Sequence, residues 1–139
     1  MSKIAVVYWS GTGNTAAMAE AVAEGAKGKG AEVDVFNSSE FDASKVDGYD
    51  ALAFGCPAMG AEVLEETEFE PLFASCEPKL SGKKVGLFGS WGWGNGVWME
   101  DWKIRTQGTG ADLVGAVACM EAPDDNAKAE CKALGESLA

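Results

Sequence analysis

The sequence predicts a doubly wound α/β domain: a five-stranded parallel sheet with helices on both faces. Three observations carry this reading. Apolar, β-rich runs alternate along the chain with segments of helical periodicity, as in successive βαβ units. The first and third runs are apolar at nearly every position, as in strands covered on both faces. The loops after the first, third and fourth strands have unusual sequences, and open sheets of this kind bind ligands beyond the carboxyl ends of their strands.

Residues 3–9 (Lys-Ile-Ala-Val-Val-Tyr-Trp) make the first strand. A helix is predicted over 14–29, with Met18, Ala19, Val22 and Ala26 on one face and Gly28 and Gly30 marking its stop. Residues 32–36 alternate as a short second strand, and 49–55 form a third, ended by Pro57. Pro71 is placed to open a short helix reaching Cys76. The fourth strand spans 84–89 and the next helix 97–106, with Trp98 and Trp102 one turn apart as packing residues. The fifth strand spans 113–119. The last helix starts near Asp124, with Ala127, Cys131, Leu134 and Leu138 sharing a face. Crossovers are expected to be right-handed.

With 139 residues, 47% of them hydrophobic, the chain is expected to form one domain over 1–139 with a core that needs no staples. It contains no apolar run long enough to span a bilayer. Its first residues enter a strand without a cleavage-site pattern, so a cytoplasmic location is expected. The four cysteines show no Cys-x-x-Cys spacing and histidine is absent, which argues against zinc, haem and iron–sulfur sites and against His-based catalysis. A net charge of −11 argues against nucleic acid and anionic membranes as partners and leaves a basic protein surface as a plausible one.

The loop after the first strand, Ser10-Gly11-Thr12-Gly13-Asn14-Thr15, contains only glycines, hydroxyls and amides, and a helix follows. Such a loop turns backbone N–H groups inward and adds side-chain donors and the positive end of a helix, a cradle for a phosphate dianion. It lacks both the lysine of a triphosphate loop and the Gly-x-Gly-x-x-Gly spacing of a dinucleotide loop, so a terminal monophosphate fits best. A helix cap that binds nothing is the alternative. After the third strand, Cys56-Pro57-Ala58-Met59-Gly60-Ala61-Glu62 offers a polarizable thioether, a permissive glycine and a carboxylate able to accept from a ring N–H; it also reads as an ordinary turn. After the fourth, Ser90-Trp91-Gly92-Trp93-Gly94 sets two indoles among glycines that cannot easily build a core around them. Trp93 reads as a platform for a flat ring, and Trp91 as either platform or core.

Together and in this order, the three loops resemble those of the flavodoxins, most closely the short-chain branch of anaerobic bacteria. The match runs from Met1 to Leu138 and rests on Tyr8 to Thr15, Gly55 to Gly60 and Val85 to Ser90. The resemblance implies strand order 2-1-3-4-5 and FMN at the switch point between strands one and three, for which that family is a standard illustration. It implies that Ser10, Gly11, Thr12, Gly13, Asn14 and Thr15 hold the phosphate. Met59 and Trp93 would cover the two ring faces, Glu62 meet the pyrimidine N–H, and Gly92 and Gly94 bind its carbonyl. Ser90 would lie near the ribityl chain, with Pro57, Ala58, Gly60 and Trp91 completing the site. Pro57 departs from relatives that carry a phosphate-binding serine there. The family's turn at Gly60 flips to accept a proton from the half-reduced ring, and Ala61 is expected to bias that flip by about 1 kcal/mol.

The implied function is a low-potential one-electron carrier that is a monomer, not an enzyme, and docks basic redox proteins near the flavin edge. The acidic run Glu62, Glu65, Glu66, Glu68 and Glu70 would repel a reduced ring by about 1 kcal/mol per carboxylate at ~15 Å and would steer such partners. Three rivals make distinguishable demands. A flavin-dependent NAD(P)H or quinone reductase needs a second-substrate site. A phospho-receiver needs an aspartate where this chain has Gly55-Cys56. A domain that has lost its ligand has no need of so complete a first loop.

Overall fold

The structure, a computed structural model, describes residues 2–11, 13–58, 64–91 and 97–139. Its strands are β1 (Lys3–Tyr8), β2 (Glu32–Asn37), β3 (Ala51–Gly55), β4 (Lys84–Trp91) and β5 (Asp112–Met120). The helices are α1 (Asn14–Gly28), α2 (Phe69–Cys76), α3 (Val97–Gln107) and α4 (Asp125–Leu138). The strands form one sheet in the order β2-β1-β3-β4-β5, and every neighbouring pair is parallel.

Side chains alternate across the sheet with the period of two that a strand imposes. Ala5, Val7, Leu52, Phe54, Val85 and Leu87 pack with Phe69, Phe73, Trp98 and Trp102 of α2 and α3. Ile4, Val6, Ala51, Ala53 and Phe88 point the other way, into a second core with Met18, Val22, Cys131 and Leu134 of α1 and α4. β1, β3 and most of β4 are therefore buried on both sides, which is why they read as continuous apolar runs. Trp98 and Trp102 are core residues as expected, each 2% exposed. Trp102 sets its ring edge-on against Phe69 and Phe73, with centroids 5.6 Å away in both cases.

Several boundaries differ from the sequence reading. β4 and β5 extend to Trp91 and Met120 because each has the other to pair with: Ser90 aligns with Cys119 and Trp91 with Met120. Ser90 and Trp91, expected in the loop, are thus the last residues of a strand. α2 starts at Phe69, two residues before Pro71, since the first turn of a helix makes no use of the N–H that proline lacks. Short 3-10 segments at Ser38–Glu40 and Ala43–Gly48 were not expected; Asn37 and Asp42 cap them through their side chains.

On one face of the sheet α1 and α4 cross at glycines. A Cβ on Gly25 would lie 2.0 Å from the Lys132 carbonyl oxygen, and one on Gly135 would lie 2.0 Å from that of Val22. Backbone cannot retreat as a flexible side chain can, so Gly135→Ala must push the helices apart. The expected loss is about 1–3 kcal/mol of unfolding free energy, measured by urea titration; an unchanged midpoint would contradict this packing.

Candidate functional site

The carboxyl ends of β1, β3 and β4 meet where chain connections from β1 and β3 diverge to opposite sides. α1 begins there. Its N-cap, Gly13, has φ 94° and makes no side-chain cap, and no acidic residue stands in the first turn. Gly13 adopts at no steric cost a left-handed conformation that would strain other residues. Ser10 reaches forward instead: its Oγ accepts from the N–H of Gly13 at 3.0 Å and of Ala16 at 3.3 Å. The hydroxyl proton of Ser10 remains available to an acceptor outside the helix. Thr15 and Ser90 bring their hydroxyls to 3.5 Å from each other, with both residues buried. Gly11 lies on the indole of Trp9, whose ring carbon is 3.1 Å from where a Cβ would stand.

The ladders between β1 and β3 and between β3 and β4 continue into the loops. The N–H of Trp9 donates to the Gly55 carbonyl at 2.9 Å, that of Cys56 to Phe88 at 3.1 Å, and that of Ala58 to Ser90 at 3.0 Å. Two glycines allow this approach. A Cβ on Gly55 would lie 2.0 Å from the Phe88 ring, and one on Gly89 would lie 2.2 Å from the Cys56 carbonyl oxygen. That carbonyl accepts from Trp98 Nε1 at 3.3 Å, tying the β3 loop to the start of α3. Pro57 and Ala58 are half-buried beside Ser90 and Trp91. The N–H of Glu121 donates to the Trp91 carbonyl at 2.7 Å, and Glu121 accepts φ 56° to do so. Trp91 packs against the α2/α3 core, so its indole is at least partly structural.

The structure therefore brings together Ser10, Gly11, Gly13, Asn14, Thr15, Pro57, Ala58, Ser90 and Trp91. Thr12, Met59, Gly60, Ala61, Glu62, Gly92, Trp93 and Gly94 lie outside the described residues. Sequence reasoning missed two supports. Trp9 was legible as an indole at a strand end directly before a glycine. Cys56 sits at the junction of the two loops, and nothing in its sequence context distinguished it from a core thiol. Burial pushes its thiol up to about 12, so it stays protonated.

The acidic run is a correction. The sequence reading gave this run to repulsion and docking, with a solvated loop face as the alternative; for Glu65, only 6% exposed, the solvated alternative does not hold. It accepts from the N–H groups of Thr67 at 2.9 Å, Glu68 at 2.7 Å and Phe69 at 3.0 Å, and from the Thr67 hydroxyl. Burial raises its pKa, but these donors outweigh that and hold it near 2. Glu68 accepts from the Ser38 hydroxyl. Glu70 takes a forked pair of 2.7 Å bonds from Arg105, which also holds Glu77 at 2.7 Å and lies 5.0 Å over the Phe73 ring. These three carboxylates are engaged with their own fold; Glu66 is exposed.

A doubly wound parallel sheet with hydroxyl and amide donors at its switch point is the architecture of a mononucleotide-binding domain. The flavodoxin family model matches residues 6–135. The flavodoxin of Megasphaera elsdenii is 48% identical over 136 residues, covering 98% of both chains. That of Clostridium beijerinckii is 45% identical over 134 residues, covering 96% of this chain and 97% of its own. The solution structure of two-electron reduced Megasphaera elsdenii flavodoxin superposes with a TM-score of 0.91 at 50% identity, covering 97% of each chain. The chain belongs to the flavodoxin family. Flavodoxins are FMN-binding electron-transfer proteins and not enzymes. The residues present fit that cofactor: the cradle offers hydroxyl and amide donors, and its helix end carries no competing carboxylate.

A folded-state pKa near 2 against an ordinary value of 4.5 makes Glu65 stabilising above pH 4.5 and progressively less so as pH falls toward 2. The difference in unfolding free energy between wild type and Glu65→Gln should therefore shrink across that interval. A difference that stays constant would show that the carboxylate is not held ionised.

Proposed function

We propose that the chain binds one FMN non-covalently at this switch point and carries single electrons at low potential between larger redox proteins. The observation that supports it most is the first loop, where Ser10 organises the start of α1 while neutral donors converge without a lysine or arginine. Ser10, Gly11, Thr12, Gly13, Asn14 and Thr15 hold the phosphate, and Ser90 lies behind it near the ribityl chain. Met59 and Trp93 cover the ring faces. Pro57, Ala58, Gly60, Glu62, Trp91, Gly92 and Gly94 complete the ring site. When bound, the flavin supplies the one-electron chemistry; the protein orients it and excludes water.

Neutral donors suit this task. A dianion in a cradle of dipoles is stabilised without a fixed positive charge that would raise the potential of the nearby ring. The net charge of −11 disfavours further negative charge on that ring and favours a partner with a basic face. Of the described carboxylates in the acidic run, Glu70 is paired with Arg105, while Glu65 and Glu68 keep their charge on neutral donors and Glu66 is exposed, so these three still contribute to the field that a partner meets. The same field opposes self-association and so favours a monomer.

Two measurements test the reading. Purified protein should be yellow and release FMN on denaturation, and its apoprotein should rebind FMN one to one at micromolar concentrations or below, about −8 kcal/mol or stronger. Failure to rebind would end the proposal. Reduction by a basic flavoprotein reductase should slow as ionic strength rises, since exposed charges more than a Debye length apart, about 10 Å at 0.1 M, are screened. A salt-independent rate would remove the docking role.

A further inference from the structure

We infer that Glu65 is a positioning residue for the loop after β3, fixing the far end of that loop against Cys56 at its near end. This rests on the FMN site proposed above. The N–H of Glu65 donates to Cys56 Sγ at 3.4 Å across nine residues. Cys56 is itself fixed from two sides, by its N–H to the Phe88 carbonyl at 3.1 Å and by Trp98 Nε1 to its own carbonyl at 3.3 Å. Glu65 is fixed by four donors from Thr67, Glu68 and Phe69, and its carbonyl accepts from the N–H of Glu70 at 2.8 Å. Both ends of the stretch are thereby joined to each other, to β4 and to the start of α2.

A helix cap alone does not call for this arrangement. Caps work at the surface, where a carboxylate keeps its hydration, whereas burying one is costly unless every lone pair is used. Here the carboxylate is buried, and Leu64 before it is 6% exposed. Pinning two chain positions together removes loop conformations that ligand binding would otherwise have to remove. In the FMN site proposed above this stretch serves the ring and the first loop the phosphate, so the benefit belongs to ring binding.

The test compares FMN and riboflavin binding to apoprotein by fluorescence titration. In Glu65→Gln the side-chain amide meets the Thr67 donors with a donor of its own, and the charge is lost. Both affinities should fall about tenfold, equivalent to ~1.4 kcal/mol, leaving their ratio unchanged. Thr67→Val removes one exposed donor while keeping the carboxylate, and should weaken both ligands in the same direction by a smaller factor. Asp124→Ala is the matched control. Asp124 accepts from the N–H of Ala127 at 2.8 Å as the N-cap of α4, so its loss should lower the melting temperature and leave both affinities alone. Wild-type affinities in Glu65→Gln and Thr67→Val, a loss confined to FMN, or an equal loss in Asp124→Ala would each overturn the inference while leaving the FMN reading intact. Wild-type apoprotein that binds neither flavin would overturn both.

Discussion

The close backbone approach between the ends of β3 and β4 is the constraint on which the rest of the site depends. Gly55 and Gly89 permit it; any side chain at either would collide with the Phe88 ring or with the Cys56 carbonyl. Because the strands come this near, their hydrogen bonding runs past the sheet as far as Ala58 and Ser90. The loop after β3 then starts from a fixed point, Trp98 can reach the Cys56 carbonyl, and Thr15 of α1 meets Ser90 of β4. The first loop and the start of the loop after β3 are thus fastened to one edge of the sheet.

The charges divide by purpose. Among the described residues no lysine or arginine belongs to the first loop, and in the proposed cradle dipoles and hydroxyls take that part. The one arginine in the described α2/α3 layer is spent on holding helices together, with Glu70 and Glu77 clamped at 2.7 Å, and these pairs are partly shielded from water. Charge-assisted forked bonds of this kind are stronger than surface ion pairs and fix orientation as well. The two helices so joined are those that follow the loops after β3 and β4. Net negative charge is left to the outer surface, where it acts at long range.

Much of this was legible in the sequence, for identifiable reasons. Continuous apolar runs marked the buried strands, because a parallel sheet covered on both sides needs no polar alternation. Spacing placed Ala127, Cys131, Leu134 and Leu138 on one helix face, and all four are buried. The first loop was readable because its absences were as informative as its residues. What escaped depended on tertiary pairing. Ser90 and Trp91 belong to β4 only because Cys119 and Met120 extend beside them. Glu65 looked like one of five carboxylates in a single acidic run, and only the fold brings three backbone N–H groups and a hydroxyl around it. Cys56 gave no local sign that its carbonyl would accept an indole N–H from a helix 42 residues on.

The central claim is that neutral dipoles at the head of α1 hold a fully charged phosphate. The 31P resonance of bound FMN followed from pH 8 to pH 5 tests it most directly, since a free phosphate monoester takes up its second proton near pH ~6. The expected shift stays constant across that range, because a cradle of donors favours the dianion. A resonance that titrates as free FMN does would contradict it.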